Sequence, residues 1–162
     1  MSPRAAARLE SIGFERVYDY VAGKAGWGSA GLPLEGENGS ETRAGAHART
    51  DVPTCRLGDE LGHVRRVVDN SGWDTCFVVN DEGVVLGRLG RSALRFDADL
   101  PVEKAMTPGP STIRPSARLE ATVERMQRQG LTNLPVTSSD GQLMGLLMRD
   151  DAEAALAKRF AG

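Results

Sequence analysis

The segment 54–94 is echoed by the segment 112–152. Shifted by 58 positions, "TCRLGDELGHVRRVVDNSGWDT" lies on "TIRPSARLEATVERMQRQGLTN", and "CFVVNDEGVVLGRLGRSAL" lies on "LPVTSSDGQLMGLLMRDDA", without a gap. Thr54 meets Thr112, Arg56 meets Arg114, Leu61 meets Leu119, Gly72 meets Gly130, Val78 meets Val136, Gly83 meets Gly141 and Gly87 meets Gly145. The identities fall on glycines and apolar positions, where backbone geometry is demanding. A unit this small buries little core alone, so the two copies are expected to pack together. Duplication therefore restricts the fold more than any other feature of the chain.

Each copy carries the same local signals. In the second, Leu119, Val123 and Met126 are spaced as one apolar face of a helix. Ser116 is expected to cap that helix, and Gly130 to end it in the left-handed conformation. "LPVT" and "QLMGLLM" are short strands joined by "SSDG", whose Asp140-Gly141 pair is a hairpin signal. "RDDAEAALAKRF" follows as a closing helix. In the first copy the helix face is Leu61, Val64, Val67 and Val68, and "CFVVN", "DEG" and "VVLGRL" make the hairpin. The expected order is strand, helix, strand, strand, helix, twice.

With "MTPGPSTIRP", the helix ending at Gly130, "LPVTSSDG" and "GLLMRDD" in place, residues 52–160 resemble a tandem pair of CBS domains. That resemblance implies an α/β (α+β) fold with pseudo-two-fold symmetry, each half a small sheet covered by helices. It implies a regulatory, non-catalytic module that binds an adenosine-containing ligand such as AMP, ATP or S-adenosylmethionine between the repeats. It also implies a homodimer joined through the CBS helices.

The family's ligand motif is a glycine, two apolar residues, Thr or Ser, two variable residues and Asp. In the second repeat it becomes Gly145, Leu146, Leu147, Met148, Arg149, Asp150 and Asp151. Asp151 takes the ribose position, and Met148 replaces the hydroxyl residue near the phosphate. By the same resemblance Thr112 and the segment Asn133, Leu134 and Pro135 line the base pocket. In the first repeat the motif becomes Gly87 to Ala93, with Gly90 at the hydroxyl position and Ala93 at the acid. The chemistry stands without the family: a carboxylate accepts two hydroxyl hydrogen bonds, which suits a vicinal diol. The helix N-terminus beside it offers free N–H groups to a phosphate. Asp151 equally suits a first helical turn favoured by the helix dipole; Asp150 suits that turn better than a ligand, and Arg149 suits solvent better than a phosphate.

Upstream, "ARLESIGFERVYDYVAGKAGWGSAGLPLEG" resembles the closing part of a rhodanese domain, with a helix, a strand "RVYDYV", a "GKAGW" turn and a "GLP" exit. Residues 1–50 are expected to be mobile or docked onto the module or a second chain. "EGENGSETRAGAHART" is nearly free of large apolar groups and reads as a linker. The expected organisation is thus 1–36 rhodanese-like fragment, 37–51 linker, 52–97 first repeat and 98–162 second repeat.

A sulfurtransferase is the enzyme-class alternative, because "CRLGDE" at Cys55 is similar to the rhodanese cysteine loop. It lies after the tail instead of before it, and Asp59 and Glu60 would raise a thiol pKa. The repeat sets Cys55 opposite Ile113 and Cys76 opposite Leu134, which are core positions. Trp27 and Trp73 read as packing residues. A purely structural dimerisation module without ligand is the other alternative. Two cysteines and two histidines do not assemble a zinc site by themselves. A net charge of −2 argues against nucleic acid as partner. The apolar runs are too short to span a bilayer, and the N-terminus lacks a signal-peptide core, so a cytoplasmic location is expected.

Overall fold

The computed structural model describes residues 3–17, Trp27 and residues 42–160. Helix α1 is Pro3–Ser11, followed by the exposed Ile12 and Phe14. Beyond Val17, the expected strand "RVYDYV" lies outside the described residues, as do the "GLP" exit and all of "GKAGW" except Trp27.

The rest is two halves. The first contains β1 (Thr54–Cys55), α2 (Leu61–Ser71), β2 (Cys76–Val79), β3 (Val85–Leu89) and a 3-10 turn, Ala93–Arg95. Between the halves come the single-turn helix α3 (Val102–Ala105) and β4 (Thr107–Pro108). The second half contains α4 (Leu119–Arg128), β5 (Asn133–Thr137), β6 (Leu143–Met148) and α5 (Arg149–Phe160). Strands β1 to β4 form one sheet in that order, with β1 parallel to β2, and β5 and β6 form a second. A single parallel bridge, Ile113 to Val136, stands where β1 pairs in the first half.

The 58-residue shift survives in the pairing of the two hairpins. Cys76, Phe77, Val78 and Val79 pair with Leu89, Arg88, Gly87 and Val85. Leu134, Pro135, Val136 and Thr137 pair with Leu147, Leu146, Gly145 and Leu143, and the register shift falls at the same step in both hairpins. At the junction the Val85 amide donates to the Gly141 carbonyl at 3.1 Å, and the Leu143 amide donates to the Gly83 carbonyl at 2.9 Å. These bonds exchange under the shift, which is the signature of a two-fold relation between the halves. Arg56 donates to the Asn80 carbonyl, and Arg114 to the Ser138 carbonyl, so each repeat's arginine ties its first strand to its hairpin turn.

Each half has its own core, and each core borrows from the other repeat. Leu61, Val64, Val68, Cys76, Val78 and Leu89 are buried together with Val102 and Ala105 of α3. Leu119, Val123, Met126, Leu134, Val136 and Leu147 are buried together with Ala44. Ala44 belongs to a 3-10 turn, Ala44–His47, in the stretch expected to be a linker. That expectation is corrected for residues 42–49: they carry the counterpart of α3 and β4, and they pack on the opposite half. The Leu61 amide donates to the Leu100 carbonyl at 3.1 Å, and the Leu119 amide to the Thr42 carbonyl at 2.9 Å. Arg88 pairs with Thr107, and Leu146 pairs with Arg49. Composition hid this segment because backbone hydrogen bonds, and Ala44 alone among large or small apolar groups at full burial, hold it in place.

Three local expectations change. Ser116 does not cap α4: the N-cap is Arg118, extended and without a side-chain cap bond, because Arg118 bridges to Arg43. Val67, expected on the apolar helix face, is 40% exposed. The first repeat closes with one 3-10 turn, not with a helix like α5. Gly130 ends α4 as expected, with φ +65°. The Leu131 amide reaches the Met126 carbonyl at 2.8 Å and the Gly130 amide the Gln127 carbonyl at 3.2 Å, a Schellman motif.

Candidate functional site

Helix α5 leaves β6 directly, and the Arg149 amide is anchored on the Thr132 carbonyl at 2.9 Å. Asp150 and Asp151 fall in its first turn, where the helix dipole favours an acid. Asp151 is not free. Arg49 Nε donates to its Oδ2 at 2.6 Å and the Arg49 Nη2 to its Oδ1 at 2.9 Å, a two-pronged pair. The hydrogen bond from Arg49 holds the Asp151 carboxyl below its ordinary range, and the same bond raises the Arg49 guanidinium.

Arg49 arrives there through its backbone. Its amide donates to the Leu146 carbonyl at 2.9 Å and the Leu146 amide donates back at 2.8 Å. The close approach needs Gly145: a Cβ there would stand 2.7 Å from the Arg49 carbonyl oxygen and 3.2 Å from Ala48 Cβ. Gly145, expected to serve a ligand, thus makes room for the crossing segment. The Arg49 guanidinium also lies 5.8 Å from the centre of the Trp73 ring, within cation–π range. Trp73 Nε1 donates to Asp51 Oδ2 at 3.3 Å. A cavity of about 610 Å³ opens beside Asp151, lined by Thr42, His47, Ala154, Ala155 and Lys158.

The expected site residues divide. Asn133, Leu134 and Pro135 pair in register with Met148, Leu147 and Leu146, so the hairpin gathers them next to Asp151. Leu134 points into the second core, leaving only its backbone for a ligand. Asn133 Oδ1 is buried without a partner among the described residues, while its Nδ2 donates to Thr132 Oγ1 at 3.3 Å. Met148 packs with Trp73, Val85 and Leu143 around the junction cluster Val52, Phe77 and Leu146. Arg149 donates to the Leu131 carbonyl at 3.3 Å and lies 3.7 Å from Glu153. Thr112 is exposed and lines neither described cavity. Its counterpart Thr54, with Thr50, Arg56, Asp81 and Gly145, borders a second cavity of about 490 Å³ at the junction.

In the first half Gly90 leaves open space where a Cβ would project, and Ala93 belongs to the first core. On β3 of that half, Arg88 donates from Nε to Thr75 Oγ1 at 2.9 Å and sits 5.8 Å from the Phe77 ring centre. Burial lowers its pKa, with Asp74 opposing. Cys55 and Cys76 are both free and buried. A hydrogen bond with Cys55, and then burial, raise the Cys76 thiol above its usual range, the opposite of an activated thiolate.

Arg49, His47 and Lys158 were not expected at this site, and Trp73 was expected only as a packing residue. The one available signal was the shift itself: carried upstream of Thr54, it sets Arg49 opposite Thr107.

No curated protein matches the sequence. The CBS domain profile matches residues 102–158. Among solved structures, the chain is similar to the cytosolic domain of the Mg2+ channel MgtE in complex with ATP, at 24% identity and TM-score 0.65, over 70% of this chain and 48% of that one. It is similar to CBSX2 in complex with AMP, at 19% identity and TM-score 0.64, over 72% of this chain and 97% of that one. The CBS domains of a transcriptional regulator from Streptococcus pneumoniae give 18% identity and TM-score 0.65, over 70% and 98%. The match thus spans about half of the MgtE domain and nearly all of the other two. The chain has the fold of a CBS-domain pair, and its residues 102–158 match the CBS domain family.

Proposed function

We propose that the chain is a regulatory, non-catalytic module that binds one adenosine-containing nucleotide between its repeats, at Asp151. The observation that carries this reading is the position of Asp151: a carboxylate in the first turn of α5, at the end of β6, beside the segment that crosses from the other repeat. Asp151 supplies the ribose acceptor, and the hairpin residues Asn133 to Pro135 supply backbone to the base. Met148 offers no hydroxyl to the phosphate. Structures of the same fold hold ATP in the MgtE domain and AMP in CBSX2. On this reading the module is a cytoplasmic homodimer joined through its helices, and no helix among the described residues is long and apolar enough to cross a membrane. Residues 1–36 are a rhodanese-like appendage, and the repeats occupy 52–97 and 98–162, the first extended upstream by the crossing segment 42–49.

A thermal-shift screen against AMP, ADP, ATP and S-adenosylmethionine tests it. Ligand at a hundredfold excess over its Kd adds about 2.7 kcal/mol, about 10–20 °C in Tm for a domain of roughly 100 residues. No shift with any of the four would count against the reading.

A second reading rests on the Arg49–Asp151 pair itself. The pair closes the carboxylate within the chain, and Trp73 and Met148 fill the adjoining space. In that case the pair fastens the crossing segment, and the module is structural.

A further inference from the structure

Asp151 is committed before any ligand arrives, and the partner it holds is a cation. Both carboxylate oxygens accept from one guanidinium, at 2.6 and 2.9 Å, so a diol takes both in that same two-pronged geometry only by displacing Arg49. A neutral nucleoside that did so would leave the guanidinium without its hydrogen-bonded carboxylate. Asp51, the other acid acting on Arg49, already accepts from the Trp73 indole. A phosphorylated ligand changes the balance, because phosphate oxygens accept the same two-pronged geometry that the carboxylate gives up. Arg49 is placed for such an exchange. Its backbone is fixed on Leu146, its side chain is half exposed, and its guanidinium lies 5.8 Å from the centre of the Trp73 ring. The cavity beside Asp151 adds His47 and Lys158 along one wall.

Resting on the nucleotide reading above, we propose that Arg49 is the gate and specificity determinant of this site, closing Asp151 to neutral nucleosides and opening it to phosphorylated ones. Binding exchanges one ion pair for another: the carboxylate passes from guanidinium to ribose, and the guanidinium from carboxylate to phosphate. The ligand class is therefore an adenosine phosphate, not adenosine and not a sulfonium analogue lacking phosphate.

The test is calorimetry of the full chain with adenosine and with AMP, in the wild-type protein and in Arg49→Gln, Arg49→Lys and Asp151→Ala. In the wild type, AMP should bind about tenfold or more tightly than adenosine, the scale of one charged hydrogen bond. In Arg49→Gln adenosine should gain and AMP should lose, bringing the two within about threefold. Arg49→Lys, which keeps the charge without the fork, should fall between. Adenosine binding that appears only in Arg49→Gln would also support the gate. An unchanged AMP-to-adenosine ratio in Arg49→Gln, with binding still lost in Asp151→Ala, would overturn the role of Arg49 and leave the nucleotide site standing. No heat with either ligand in any variant would overturn the nucleotide reading and this proposal with it.

Discussion

At the start of α5 stands Asp151, gripped by Arg49 from the other repeat. Fifty-eight residues earlier stands Ala93, part of the first core. Under the same shift Arg49 becomes Thr107, Trp73 becomes Leu131, Met148 becomes Gly90, and the buried Leu146 becomes Arg88. Yet four strand pairings in each hairpin coincide residue for residue. Backbone hydrogen bonds and close glycine approaches leave almost no freedom, so both copies keep them. The side chains facing the cleft carry no such constraint. One cleft therefore holds a paired acid, and the other holds an arginine that leans on Thr75 and Phe77.

The largest effects should come where the halves are most alike. Leu61 and Leu119 occupy the same place, and both are fully buried. Truncating either to Ala should cost about 2–5 kcal/mol. Because each core contains an element from the other repeat, both variants should lower one common unfolding midpoint in urea. A variant that splits the transition in two would break the reciprocal account.

The paired glycines Gly87 and Gly145 sharpen the comparison. A Cβ at Gly145 meets the Arg49 carbonyl and Ala48, whereas at Gly87 it meets the flexible thioether side chain of Met106. Gly145→Ala should cost about 1–3 kcal/mol as overpacking against a backbone. Gly87→Ala should cost less, since a methionine can move aside. Equal losses of stability, measured side by side, would say that the crossing segment at Arg49 is not held as tightly as its hydrogen bonds imply.

The ion pair gives a smaller effect, visible in titration. The Asp151 carboxyl is held below its ordinary value by the hydrogen bond from Arg49. A depressed carboxylate contributes stability that is fully present above its unfolded value, about 3.9, and is lost as pH falls through the folded value. The pair should therefore be intact at neutral pH and open only in acid below that range. Carbon-detected NMR of the Asp151 carboxyl should show its midpoint rising in Arg49→Gln, and an unmoved midpoint would deny the pair in solution.

The smallest effect is the most pointed about what sequence can reveal. Ser116→Ala should change stability by no more than about 0.5 kcal/mol, because Arg118 and not Ser116 precedes α4; a working cap would cost about 1 kcal/mol. The doubled hairpins, the helix faces and the Gly130 terminus were legible because periodicity and glycine positions record them directly. The segment 42–49 was not. It shares no identity with 100–107, and its place depends on backbone bonds to Ala117, Pro115 and Leu146, which record little in side chains beyond the glycine that Pro115 requires at Gly45. For the same reason Asp151 could be singled out while Arg49 could not: 102 residues separate them, and only the crossing of the repeats brings them together.

The central claim is one nucleotide site per chain, built on the second repeat because Asp151 is there and Ala93 is its counterpart. Calorimetric titration with AMP, of the wild type and of Asp151→Ala, tests it most directly. The account predicts one molecule bound per chain and loss of binding in the variant. Two molecules per chain, or undiminished binding by Asp151→Ala, would contradict it.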